Sequence, residues 1–113
     1  MKSVLADTSY YVAFLAPNDQ CHELALEWSG RLLGRIVVTE YVLIELGNML
    51  SGIKDRHLFV PFVDELLRDQ SIDYIPSSPS LLRQGFDLFD ARSDKEWSLV
   101  DCISFVVMRE SAA

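Results

Sequence analysis

The chain predicts an α/β fold: a parallel β-sheet flanked by helices in an α/β/α sandwich. Three observations predict it. Short, continuously apolar and β-branched runs recur at Ser3–Ala6, Arg35–Val38 and Ile72–Pro76, as in strands buried on both faces. Segments whose apolar residues follow helical spacing stand between them, so strands alternate with helices. No tight-turn pair joins two alternating runs into a hairpin. With 113 residues, half of them hydrophobic, the chain reads as one domain over 1–113 with a real core.

Taken in order, Ser3–Ala6 is a strand ended by Asp7-Thr8-Ser9, a run rich in helix N-cap chemistry. A helix follows from about Ser9 to Leu15, broken by Ala16-Pro17-Asn18-Asp19. His22 to Leu33 spaces Leu24, Ala25, Trp28, Leu32 and Leu33 as an amphipathic helix, stopped by Gly34. The second strand, Arg35–Val38, runs into Thr39, an N-cap opening a helix to about Leu50. Ser51-Gly52 ends it. Another helix covers about Asp55 to Arg68, and Ile72–Pro76 is the third strand. Ser78-Pro79-Ser80 starts a helix through about Asp90, a polar loop spans Ala91 to Lys95, and Ser98 begins the last helix.

Composition narrows the function. A net charge of −7 speaks against electrostatic capture of nucleic acid by the bare protein. That objection weakens if several acids form one site neutralised by a divalent cation. Arg31 with Arg35, and Lys54 with Arg56, offer short basic strips, each more simply a solvated face. Cys21 and Cys102 stand far apart and read as reduced thiols, while His22 and His57 lack the spaced partners of a zinc site. No run approaches the roughly 20 apolar residues that span a bilayer. The N-terminus does not read as a secretion signal, so a cytoplasmic protein without membrane contact is expected.

The chemistry concentrates in three acids set in apolar surroundings. Asp7 follows Val4-Leu5-Ala6, Glu45 lies within Tyr41–Leu46, and Asp101 lies within Trp97–Phe105. Burying an ionised carboxylate is expensive unless something positive pairs with it. No Lys or Arg stands near Asp7 or Asp101 on the apolar side. Acids so placed suit a hard divalent cation. Asp7 also falls at a strand's carboxyl end, where ligands gather in open parallel sheets.

Each acid has a plainer reading. Asp7 serves as an N-cap, and Ser98 with Asp101 fits a capping box. Glu45 shares a helix side with Tyr41 and Asn48, with Val42, Leu46 and Met49 on another, and fits an exposed amphipathic position. Singly, the plain readings win. Together, the three are harder to dismiss.

Asp7-Thr8-Ser9, then Thr39 with Glu45-Leu46, then Asp94-Lys95 and Trp97 to Phe105, resemble the PIN-domain family, in particular the VapC-like toxins of prokaryotic toxin–antitoxin pairs. The resemblance runs in order along the whole chain, and its last block is the most specific. It implies a divalent-metal-dependent endoribonuclease that cuts single-stranded regions of RNA. It further implies Mg²⁺ or Mn²⁺ held by Asp7, Glu45 and Asp101, with Ser9 and Thr39 lining the substrate. A small antitoxin protein and a second copy, giving a homodimer, are the implied partners. Family members run on past the point corresponding to Ala113 with a strand, a fourth acid and a final strand. A C-terminally shortened sheet is therefore expected, with the first strand left at an edge.

Two carboxylates ~5 Å apart at an effective dielectric of ~20 repel by roughly 3 kcal/mol. On that ground Mn²⁺ should raise the melting temperature, and Asp7→Asn should stabilise the metal-free protein. The rival to an enzyme is a catalytically weak PIN domain that acts as a binding or dimerisation module. A phosphoacceptor receiver needs an acceptor Asp after the third strand, where Pro76-Ser77-Ser78 stands, and a paired acid beside Asp7. A phosphatase of the Asp-x-Asp type fails because Thr8-Ser9 follows Asp7.

Overall fold

The computed structural model describes residues 3–5, 7–15 and 35–111. Three strands, β1 (Ser3–Leu5), β2 (Arg35–Thr39) and β3 (Ile72–Ile75), lie side by side in that order. Both pairings are parallel, with Leu5 opposite Val37 and Val38 opposite Tyr74. The described helices are α1 (Thr8–Leu15), α2 (Glu40–Met49), α3 (Arg56–Arg68), α4 (Pro79–Ala91) and α5 (Leu99–Ser111). The helix expected over His22 to Leu33 lies outside the described residues. Among the described helices none is long and apolar enough to cross a membrane.

Local chemistry sets most of the boundaries. Thr39 Oγ1 accepts the Val42 amide at 3.2 Å and Ser78 Oγ accepts the Leu81 amide at 3.0 Å, so each hydroxyl satisfies an orphan donor of its helix. Pro79 occupies the first turn of α4, where no amide is needed. Helix α3 continues through Pro61, which has no N–H to return to the carbonyl one turn back. Its packed residues Phe59, Phe62, Val63 and Leu66 hold it against the core regardless.

Strand alternation divides the core into two. Ile36, Val38 and Ile72 face a cluster built from Tyr11 of α1, Val42, Leu43, Leu46 and Leu50 of α2, and Leu66 of α3. Leu5, Val37 and Ile75 face the other way, toward Leu81 of α4 and Ile103, Val106 and Val107 of α5. This is the three-layer α/β/α sandwich expected from the sequence. One expectation about α2 is corrected. Met49 is exposed rather than sharing the buried side with Val42 and Leu46, because the stripe turns through Leu43 to Leu50.

Two polar ties lock β2 to β3. The Arg35 guanidinium forks onto Asp73, with Nε donating to both carboxylate oxygens at 2.9 Å. At the other end Glu40 accepts the Ser77 amide at 3.0 Å and the Tyr74 hydroxyl at 3.1 Å. Arg35 is thus engaged by a carboxylate, and the strip imagined for it with Arg31 does not rest on a free cation.

Candidate active site

In a parallel sheet all the strand carboxyl ends share one side, and here α1 and α2 both start from it. Asp7 stands two residues beyond Leu5 and Thr39 closes β2, so the register brings their backbones to neighbouring positions. Asp7 is exposed, and its Oδ1 accepts the Tyr10 amide at 3.0 Å. It caps α1. One carboxylate oxygen is used in this way, and Oδ2 bonds no described residue. Ser9, in the first turn of α1, is exposed beside it.

Asp101 repeats the arrangement on α5. Its Oδ2 accepts the Ser98 amide at 3.1 Å, while its own amide donates to Ser98 Oγ at 3.0 Å. This reciprocal pair is the capping box read from the sequence, with Asp in place of Glu. The first turn of α5 also bridges the two halves of the core. Leu99 packs with the α4–α5 side and Val100 against the α1–α2 cluster, so Asp101 follows the residue that meets the α1 side.

Glu45 is half-buried on α2, on the flank it shares with Tyr41 and away from the buried stripe. Thr39 is 0% exposed, and its hydroxyl is occupied by the Val42 amide. It therefore shapes the crevice by fixing the start of α2, and its side chain is not presented to a substrate. Asp94 in the loop before α5 accepts from Arg92 Nε at 2.9 Å and Nη2 at 3.0 Å. The Arg92 fork holds the Asp94 carboxyl below its ordinary range.

Carboxylate oxygens suit Mg²⁺ or Mn²⁺ rather than softer metals. Among the described residues, however, no group of three or more His, Cys, Asp or Glu side chains is gathered to hold a metal ion. The acids do not form an all-protein cage. Mg²⁺ seldom needs one, since it keeps several waters and is commonly held by one or two carboxylates plus substrate phosphates. In each of Asp7 and Asp101 one carboxylate oxygen bonds no described residue, which fits that looser demand.

The thiol of Cys102, next to Asp101, is buried. Burial first, and then the charge of Asp101, pushes its pKa upward, so it stays protonated and inert as a nucleophile. Two hydroxyls of α1, Thr8 Oγ1 and Tyr11 OH, are buried without a hydrogen-bond partner among the described residues. Sequence reasoning passed over Glu40, because an acid right after an N-cap reads as ordinary helix-dipole chemistry. It gave no role to Arg92 and none to the ring of Trp97.

No protein-family model matches the chain, and no curated protein matches it. Among solved structures, the Mycobacterium tuberculosis toxin VapC20, described as cleaving the sarcin–ricin loop, superposes with a TM-score of 0.86. That match covers 98% of this chain and 84% of the toxin at 21% sequence identity. The fold is that of a VapC-type PIN domain. At this identity the match speaks for the fold, and the chemistry rests on this chain's own residues. Within the PIN fold the three acids read from the sequence fall on the end of β1, on α2 and on the first turn of α5.

Proposed function

We propose that this protein is a divalent-metal-dependent endoribonuclease, the toxin of a toxin–antitoxin pair. One observation carries the reading: in a VapC-type fold, Asp7 and Asp101 each stand at a helix N-terminus with one oxygen in the cap and one that bonds no described residue. Asp7 and Asp101 would hold Mg²⁺ or Mn²⁺, and Glu45 would orient a water at its edge. The bound ion supplies charge neutralisation at the scissile phosphate and a more acidic water. The N-termini of α1 and α5 would each offer amide dipoles to a phosphate bound at these acids. Ser9, exposed beside Asp7, would touch the substrate. Attack by the oriented water would leave a 5′-phosphate and a 3′-hydroxyl.

The cation also answers the charge objection. A chain at −7 repels RNA unless its acids are neutralised where the phosphate enters. An antitoxin covering the acids, and a second copy of the chain, are the partners this reading requires.

A second reading, a catalytically weak PIN domain acting as a binding or dimerisation module, is favoured by one fact. No three-acid group is gathered among the described residues. Cleavage of a labelled single-stranded RNA with Mn²⁺, Mg²⁺ or EDTA, by this chain and its Asp101→Asn variant, separates the two. Metal-dependent cutting lost in the variant establishes the nuclease. A folded protein that cuts under no condition leaves the binding module.

A further inference from the structure

Beyond the acids, α5 carries a second concentration of chemistry. Phe105 lies one helical turn past Asp101 on the same face. Its ring meets that of Trp97 edge-to-face, with centroids 4.9 Å apart. Arg92 stands 5.1 Å and Lys95 5.8 Å from the Trp97 ring centre. A cavity of about 360 Å³ opens beside them, walled by Phe89, Arg92, Lys95, Trp97 and Cys102.

A structural role explains part of this. Trp97 directly precedes the cap residue Ser98, where an apolar side chain commonly packs on the first turn. That role needs neither two cations at the ring nor exposed aromatics around it. Yet Phe89 is 52% and Phe105 41% exposed. Arg92 is neutralised by Asp94, while Lys95 forms no ion pair with a described residue. Asp90 and Glu96 also border the cavity, so with Asp94 three acids stand against two cations here, a small share of the chain's net charge of −7. Among the described aromatics, this group combines ring faces, cations and adjacency to a candidate catalytic acid.

We propose that Trp97, Phe105 and Lys95 form a platform on which a nucleobase of single-stranded RNA stacks beside Asp101, with Lys95 meeting its phosphate. The proposal rests on the ribonuclease reading and adds the substrate-positioning surface. Every base has a π-face, so aromatic platforms hold single strands without needing a particular sequence. A base fixed one turn from Asp101 would set which phosphate reaches the acids. These are positioning residues and do not touch the reacting atoms.

The test is binding of a fluorescein-labelled single-stranded oligoribonucleotide in EDTA, followed by cleavage in Mn²⁺, for the wild type, Phe105→Ala and Lys95→Glu. Lys95→Glu should melt like the wild type and Phe105→Ala slightly lower, since it loses the edge-to-face contact with Trp97 but remains folded. Phe105→Ala should weaken binding roughly 5- to 150-fold with little dependence on salt. Lys95→Glu should weaken it most at low salt, since it removes a phosphate contact. In cleavage both should raise KM and leave kcat nearly unchanged. Variants that bind and cut like an active wild type overturn the platform and leave the ribonuclease reading standing. The same result with a changed elution volume assigns the face to protein–protein contact instead. A wild type that neither binds nor cuts RNA overturns both readings together.

Discussion

Ser98 and Asp101 satisfy each other: each backbone amide donates to the other's side chain, at 3.1 and 3.0 Å. The pair closes two orphan donors at the start of α5 and fixes the rotamer of a candidate metal ligand. Ser98→Ala removes one half of it and leaves the acid. A lost N-cap costs about 1 kcal/mol, so a modest fall in melting temperature is expected. If Asp101 must be held to bind metal, the variant should also need more Mn²⁺ for half-maximal cleavage. An unchanged Mn²⁺ requirement would show that Asp101 keeps its place without the box.

Asp7 offers a sharper separation of cap from ligand. Its Oδ1 accepts the Tyr10 amide at 3.0 Å, and Asn presents an equivalent oxygen. Asp7→Asn therefore keeps the cap and removes the charge. Losing a negative charge at a helix N-terminus costs about 0.3–1 kcal/mol. The metal-free variant is thus expected to melt slightly lower, the reverse of what the sequence alone predicts. Mn²⁺ should raise the melting temperature of the wild type and barely move the variant. Equal shifts in both would leave Asp7 as a cap only.

Helix starts were legible because capping is local: Thr39, Ser78 and Ser98 announce α2, α4 and α5 within four residues. The strands were legible because burial on both faces forces unbroken apolar runs such as Ile36-Val37-Val38. The acids could be located on their elements but not measured against one another, since that depends on how α1, α2 and α5 pack. Nor could the sequence show that Asp73 belongs to Arg35, 38 residues away in the chain. The Trp97–Phe105 stack was hidden for a related reason. An apolar residue ahead of a helix cap already has a sufficient local explanation.

Acid should weaken the sheet through two carboxylates. Asp73 is held below its ordinary value of 3.8 by the Arg35 hydrogen bonds, and Glu40 below 4.5 by the Ser77 amide and then the Tyr74 hydroxyl. For a folded-state pKa depressed in this way, the stabilisation is complete above the unfolded value. It is lost as pH falls through the folded one. Melting temperature should therefore hold from pH 7 to about 5 and drop below about 4.5. Asp73→Asn, already lacking the charge, should lose less on acidification than the wild type. An identical acid profile would exclude Asp73 as a contributor.

Tyr11 is 4% exposed, and its hydroxyl has no partner among the described residues. Burial first, then the nearby Tyr10 and Asp7, drives its pKa well above the usual phenol range, so it stays neutral. An unsatisfied buried hydroxyl costs about 1–3 kcal/mol. Tyr11→Phe keeps the ring against Phe62, whose centroid lies 5.5 Å away, and removes that burden. Its urea midpoint should rise. A lower midpoint would mean that the hydroxyl has a partner in solution.

Gly85 tests how closely α4 fits over α5, the helix that carries Asp101. It is buried on α4, and a methyl added there would collide with Cγ1 of Ile103 on α5, closer than real side chains approach. That carbon sits near the backbone and cannot swing aside as a side-chain tip would. Gly85→Ala should therefore spread α4 from α5 and cost about 1–3 kcal/mol by overpacking, despite alanine's better helix propensity. Because α5 carries Asp101, RNA cleavage should fall along with stability. Adding Ile103→Ala removes the colliding carbon, so the double variant should be more stable than the two single losses summed. Simple additivity in urea unfolding would show that the helices do not touch there.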